Sequence, residues 1–343
     1  MRIKKKITAY LLGFAIILLV VNVAIDYFKK PVKNDFITTG ISGSKIDSVF
    51  LSVLNTYGIE DEWISTKKIH IPYEDSISKQ FYVKLPADLS IPLIIKDVNN
   101  KIENDITGFV SEEKKIFGTT EIRIYTNELL KLKATLIPDS STIRKRSELS
   151  FIISDAFDLG GSDFNSFLSI PYKLCTAVVP GPENIVKADS LKNYSKEYIA
   201  LLNNDMTDTK FKLGSGDQKE LLKNSIFNII DGFRDAVLFS IDERSRLFNS
   251  TIYNYVRDEF KKRKIELVRL NEFILLQAEE DNELISKFKF YCDDKQNPTQ
   301  KIFLVSFEDF LKLRTELERF RKKGNKVIPL SATNLVKKLR EEK

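Results

Sequence analysis

The chain contains one histidine, His70, and two cysteines, Cys175 and Cys292. These residue types carry most metal-hydrolase and nucleophilic chemistry, so their number bounds what the chain can do by itself. A zinc hydrolase site draws at least two imidazoles, and a Ser–His–Asp triad needs its histidine opposite a serine held in a strained elbow. His70 sits in Ile-His-Ile-Pro, no such elbow occurs elsewhere, and the imidazole reads as a structural or surface side chain. There is neither a Cys-x-x-Cys pair nor a Cys/His metal spacing. The two thiols read as unrelated and free, with a disulfide as the alternative in an oxidising compartment.

Charge narrows the partners. The formal net charge of the 343 residues is +6. Residues 1–34 hold Arg2, Lys4, Lys5, Lys6, Lys29, Lys30 and Lys33 against Asp26 alone, which accounts for the whole excess. The rest is neutral and carries no electrostatic footprint for a phosphate backbone, so no nucleic-acid partner is expected. Ile7 to Phe28 is mostly apolar, and about twenty such residues at ~1.5 Å each cross a hydrocarbon core of ~30 Å. With basic residues ahead of it, this run predicts a single-pass membrane protein. Its N-terminus would lie in the cytoplasm, residues 7–28 in the membrane, and the bulk in the periplasm or outside. A cleaved signal peptide is the rival, disfavoured because no small-x-small site follows the run.

The elements that would position any chemistry fall into segments. Residues 1–34 read as a cytoplasmic stub and transmembrane anchor, and 35–43 as a linker. Residues 44–138 read as a small α+β domain: a helix over 44–57 ended by Gly58, a strand over 81–85, a helix over 92–102, and strands over 108–111, 121–125 and 131–137. A polar, breaker-rich boundary covers 138–147. Beyond it, short apolar runs at 149–154, 174–179, 198–202, 236–240, 265–268 and 302–305 alternate with helical patterns at 162–168, 218–230, 250–264, 307–323 and 335–343. Such alternation predicts a parallel sheet or a β/α barrel, in which ligands meet the C-terminal ends of the strands.

Several segments in order resemble the divergent polysaccharide deacetylase family. Leu149-Ser150-Phe151-Ile152-Ile153-Ser154-Asp155 is similar to the family's first strand, which ends in two adjacent aspartates. Ile170-Pro171-Tyr172-Lys173-Leu174-Cys175-Thr176-Ala177-Val178-Val179-Pro180-Gly181 is similar to its second strand and proline–glycine end. Ala200-Leu201-Leu202-Asn203-Asn204-Asp205-Met206 resembles its Leu-Leu-His-x-x-Met segment, and Val327-Ile328-Pro329-Leu330-Ser331 its closing unit. The resemblance covers 148–336 and leaves 337–343 as a charged tail. It implies a distorted β/α barrel of the polysaccharide deacetylase type, preceded by the small α+β domain and the transmembrane helix.

It also implies a metal and a carboxylate base at the strand ends. Carried across, the base falls on Ser154, a metal ligand on Asp155, histidines on Asn203, Ser240 and Ser306, and a later aspartate near Arg269. Only Asp155 survives, and one carboxylate without an imidazole is a poor metal site. The reading is therefore a catalytically inactive binding or scaffold module of the cell envelope, with an envelope protein or glycan as partner and no cofactor. The alternative is a metal-dependent carbohydrate deacetylase with a rearranged site, in which Asp155, Asp242, Glu308 and Asp309 converge on a divalent cation. Phe239 and Phe307 flank two of the lost positions. They read either as core or as aromatics of a partly apolar cleft.

Overall fold

The computed structural model describes residues 41–69, 77–102, 108–114, 116, 118–126, 129–144, 146–203, 205–292 and 300–341. His70 lies outside them. Residues 42–343 form one compact unit that contains two sheets.

The first sheet is built by α1 (Gly43–Thr56), β1 (Ile64–Lys68), β2 (Lys79–Pro86), α2 (Ile91–Ile102), β3 (Gly108–Glu113), β4 (Thr120–Thr126) and β5 (Leu129–Asp139). Its strand order is β1-β2-β5-β4-β3. Only the β2–β5 pair is parallel, and both strands are central. The helices form because their apolar residues recur at helical spacing. In α1, Ile46, Phe50, Val53 and Leu54 are buried, and the Ser42 hydroxyl caps the first turn by accepting from the Lys45 N–H at 3.3 Å. In α2, Ile94, Val98 and Ile102 are buried. The strand β1 was not expected, because Ile-Ser-Thr-Lys-Lys is an almost wholly exposed edge strand with no apolar face to betray it.

The second sheet uses β6 (Glu148–Ile153), β7 (Cys175–Val178), β8 (Glu197–Leu202), β9 (Phe239–Ile241), β10 (Leu267–Arg269), β11 (Ile274–Leu276), β12 (Gln300–Val305) and β13 (Lys326–Val327). The helices are α3 (Gly161–Ser169), α4 (Pro182–Leu191), α5 (Lys219–Gly232), α6 (Tyr253–Lys262), α7 (Asp281–Cys292), α8 (Phe307–Lys312), α9 (Arg314–Lys322) and α10 (Asn334–Glu341). The strand order is β10-β9-β8-β7-β6-β12-β11, all parallel. One side of β6 is shared, by β13 at Glu148 and Leu149 and by β7 at Ile152 and Ile153.

The expected distorted β/α barrel is corrected to an open, curled parallel sheet with β10 and β11 as its two edges. Laid flat, seven strands at ~4.8 Å spacing would hold these edges about 29 Å apart. Yet only Leu270 to Phe273 join them, a link that spans at most about 17 Å. The sheet must therefore curl until its edges approach, and the link bridges the seam without hydrogen-bonding the two strands. Alternation along each strand then separates an outer face from an inner one. The outer face, with Phe151, Ile153, Val178, Leu202, Ile241, Phe303 and Val305, packs under the helices. The inner face holds Ile152, Cys175, Ile199, Leu238, Val268 and Leu304, joined by Leu270 and Phe273 from the link. Residues 330–341 close the mouth at the strand N-termini. Val336 is buried there, the Ser331 N–H bonds the Glu197 carboxylate at 3.0 Å, and the Asn334 N–H bonds Gln300.

A second expectation is also corrected. The membrane-crossing helix expected over 7–28 lies outside the described residues. Among the described residues, no helix is long and apolar enough to cross a membrane. The longest, Gly43–Thr56 and Lys219–Gly232, have 14 residues each and reach about 21 Å, short of a ~30 Å core. The single-pass membrane architecture, and the location drawn from it, are withdrawn. Cys175 is a fully buried free thiol.

A polar joint ties the two sheets together. Arg144, buried in the connection between β5 and β6, donates from Nη1 to the Tyr57 carbonyl at 2.9 Å and the Lys322 carbonyl at 2.8 Å. Its Nη2 donates to Asp88 at 2.6 Å, and Arg146 reaches the same carboxylate oxygen. Tyr57 Oη and Lys322 Nζ both donate to Asp97, each at 2.8 Å. Glycines end the two helices that meet here. Gly58 has φ +69° and Gly324 φ +100°. A Cβ on Gly58 would stand 2.6 Å from the Lys323 carbonyl oxygen, and one on Gly324 2.7 Å from the Arg144 guanidinium. Only glycine satisfies both the left-handed backbone and the close approach.

The joint is acid-sensitive with a definite sign. The hydrogen bond from Lys322 holds the Asp97 carboxyl below its ordinary range. Burial pushes Asp88 up, but the Arg144 and Arg146 guanidiniums outweigh it and hold that carboxyl low as well. Carboxylates with depressed folded pKa values contribute stability above their unfolded value of about 3.8, and lose it as pH falls through the folded values. Urea unfolding should therefore show a stability loss beginning below about pH 4, with a shallower slope in Asp97→Asn. An unchanged slope in that variant would separate the loss from the joint.

Candidate functional site

The strand C-termini gather at the mouth opposite α10. The ends of β6 and β12 are in register, as are the ends of β8 and β9, while across β7 the two pairs are offset, since Ile153 aligns through Thr176 with Tyr198, four residues before the end of β8. Ser154 and Asp155 follow β6, Asn203 follows β8, Asp242 follows β9, and Ser306 follows β12. All five follow the C-terminal ends of their strands.

Their hydrogen bonds describe what they do. The Ser154 N–H donates to the Val305 carbonyl at 2.9 Å, and Asp155 Oδ1 accepts from the Phe307 N–H at 2.8 Å. These two contacts lock the end of β6 to the end of β12. The Ser306 hydroxyl caps α8 by accepting from the Asp309 N–H at 3.1 Å. Asn203 forms a local turn, with Oδ1 accepting from the Asp205 N–H at 2.9 Å. Asp242 accepts from the Arg244 N–H at 2.9 Å, and its own N–H donates to the Leu202 carbonyl at 3.3 Å. Glu243 accepts from the Asn271 N–H at 3.1 Å, joining the end of β9 to the seam. Glu243 was not anticipated. Nothing in its local sequence marks it, since its partner lies 28 residues away on a backbone N–H.

Except for Ser154, whose N–H and hydroxyl both donate to the Val305 carbonyl, each of these side chains spends an acceptor on a backbone N–H. An unpaired donor is costly where it is part-buried, so the bonds to the Phe307 and Asp309 N–H groups order the rim most. A metal site needs the opposite arrangement, with several donors turned toward one point. Among the described residues, no three His, Cys, Asp or Glu side chains are grouped to hold a metal ion. The four-acid cation site is therefore not assembled. Glu308 is exposed on α8 and paired with Lys312 at 2.9 Å, and Asp309 lies 3.5 Å from the same amine.

One further expectation needs correction. Ser240 lies in the middle of β9 rather than at its end. It is fully buried on the inner face, and its hydroxyl has no partner among the described residues. Phe239 and Phe307 do not line an open cleft. Strand alternation turns Phe239 outward against Phe260 with ring centroids 5.4 Å apart, and Phe307 packs edge-on to Phe167 at 6.1 Å. Both belong to the outer core. Arg269 is exposed at the end of β10, with Nε 3.8 Å from Glu272.

No family model matches the chain, and no curated protein matches it. Among solved structures, that of an uncharacterized protein, ATU2773, from Agrobacterium tumefaciens C58 is similar over 56% of this chain and 90% of that chain. The two share 13% identity, at a TM-score of 0.37.

Proposed function

We propose that residues 148–336 form a polysaccharide deacetylase-like domain that no longer performs hydrolysis and works as a binding or scaffold module. One observation carries this reading: the polar side chains at the sheet's C-terminal rim accept from backbone N–H groups, Asp155 and Glu243 from a neighbouring segment and Asn203 and Asp242 within their own turns. A hydrolase of this architecture would instead aim a base and several ligands into the mouth. Asp155, the carboxylate aligned with a metal ligand, acts as a clamp on α8.

The reading is tested by supplying the full chain with Zn²⁺, Ni²⁺, Co²⁺, Mg²⁺ and Ca²⁺. Retained metal and acetate release from an acetylated chito-oligosaccharide are then measured, with Asp155→Ala alongside. The expected result is no tightly held metal and no acetate. Asp155→Ala should lose about 1–2 kcal/mol of stability through the orphaned Phe307 N–H, equally with and without chelator. One metal per chain, lost together with acetate release in Asp155→Ala, would overturn the reading.

A further inference from the structure

The small sheet carries a groove of about 900 Å³ between α2 and the edge strand β3. Leu89, Ile91 and Ile95 form its helical wall, and Phe109 and Ser111 its strand wall. The groove lies on the helix-bearing face of the sheet. Phe109 and Ser111 pair with Ile124 and Ile122, and those are core residues beneath the helices. Ile91, Ile95 and Phe109 are half-exposed, so the helices stop short of covering this end of the core.

Two features describe what would fill it. First, β3 is the last strand of its sheet, and no strand among the described residues pairs with its outer edge. An edge strand offers a row of backbone donors and acceptors to an incoming strand. Its alternate side chains, Phe109 and Ser111, already face the groove, which is the arrangement of recognition by strand addition. Second, Lys96, exposed on α2, lines the groove. Glu113 lines the groove as well, so the trough carries both signs, and the Lys96 ammonium is the group complementary to one carboxylate on an otherwise apolar ligand.

We propose that this groove docks an extended, largely apolar segment of a partner protein, which pairs with β3 and sets an acidic side chain against Lys96. The proposal is independent of the reading of the sheet rim, and either can fail without the other. An acyl chain with a carboxylate head would satisfy the trough and Lys96, but it would leave the edge of β3 unused. The open edge favours a peptide.

The test uses the full chain and a fluorescein-labelled probe, Val-Thr-Val-Glu-Val-Thr-Val, read by fluorescence anisotropy. Saturable binding is expected. Methylating alternate backbone nitrogens of the probe should weaken it by about ten-fold or more, because ladder bonds carry affinity in this mode. Ile95→Asp should weaken it by about ten-fold or more as well, as loss of a central apolar contact does. Lys96→Glu should weaken the glutamate probe about five-fold and restore binding to a probe with lysine at that position. If Ile95→Asp fails to fold, the methylated probe and the charge swap still decide. Absence of saturable binding overturns the proposal. So does equal binding of the methylated probe, or dodecanoate binding that depends on Lys96 while the peptide does not bind.

Discussion

Arg144→Ala should cost the chain about 3 kcal/mol of stability and loosen the two sheets from one another. Arg144 is only 7% exposed and donates three short hydrogen bonds, two of them to backbone carbonyls more than eighty residues away. Removing one partner of a buried charged network costs about 3–5 kcal/mol. Two details place the effect at the lower end. Arg146 still holds Asp88, and the Arg144 Nε has no hydrogen-bond partner, so the native joint already bears part of a desolvation cost. Lysine is no substitute, because one ammonium cannot reproduce a fork that reaches two carbonyls and a carboxylate. Urea unfolding followed by two probes measures both consequences. The wild type should give coincident transitions, while Arg144→Ala should give a lower midpoint and separated transitions. A loss below about 1 kcal/mol with coincident transitions would show that the sheets hold together by other means.

The second large effect is expected at Phe151. Its ring lies in the outer core 5.5 Å from Phe303 and 5.3 Å from Phe310, with Phe288 at 6.4 Å. Phe151 sits on β6, which has neighbours on both sides, so the surrounding backbone cannot collapse into a void. Truncation to alanine should cost about 4 kcal/mol, the sum of lost burial and an unfilled cavity. Phe227, 58% exposed on α5, is the control. Phe227→Ala should stay within about 0.5 kcal/mol. Comparable losses at both sites in denaturant unfolding would contradict this account of the core.

The large domain's alternation of strands and helices was legible because each apolar run is bounded by polar or breaker residues. The rim positions Ser154, Asp155, Asn203 and Ser306 followed, since a strand's end follows from where its run stops. Ser240 was misplaced by the same logic. The apolar run ends there, but the strand that actually pairs is Phe239–Ile241, so the rim begins two residues later. The helix α4 begins at Pro182 directly after Pro180-Gly181, a stretch that reads as a loop although proline is at home in a first helical turn. The strand β11 has three residues, too few for any period to show. The open seam was invisible because closure depends on whether two three-residue edges hydrogen-bond. Arg144 was hidden within a basic stretch, because its partners are 56, 87 and 178 residues distant.

The position of β6 has a consequence for the order in which a nascent chain can finish folding. It is the first strand of its sheet to be synthesised, yet it ends at the centre, and Glu148 is paired with Gln300 and Lys326. Until those residues emerge, β6 can pair only with β7 near its far end. The small sheet is complete at Asp139, but Arg144 cannot seat until the Lys322 carbonyl arrives. Loss of the segment after Cys292 would therefore strand an open edge at the middle of the sheet and leave the joint unmade. The last seventh or so of the polypeptide acts as a keystone for structure laid down long before it.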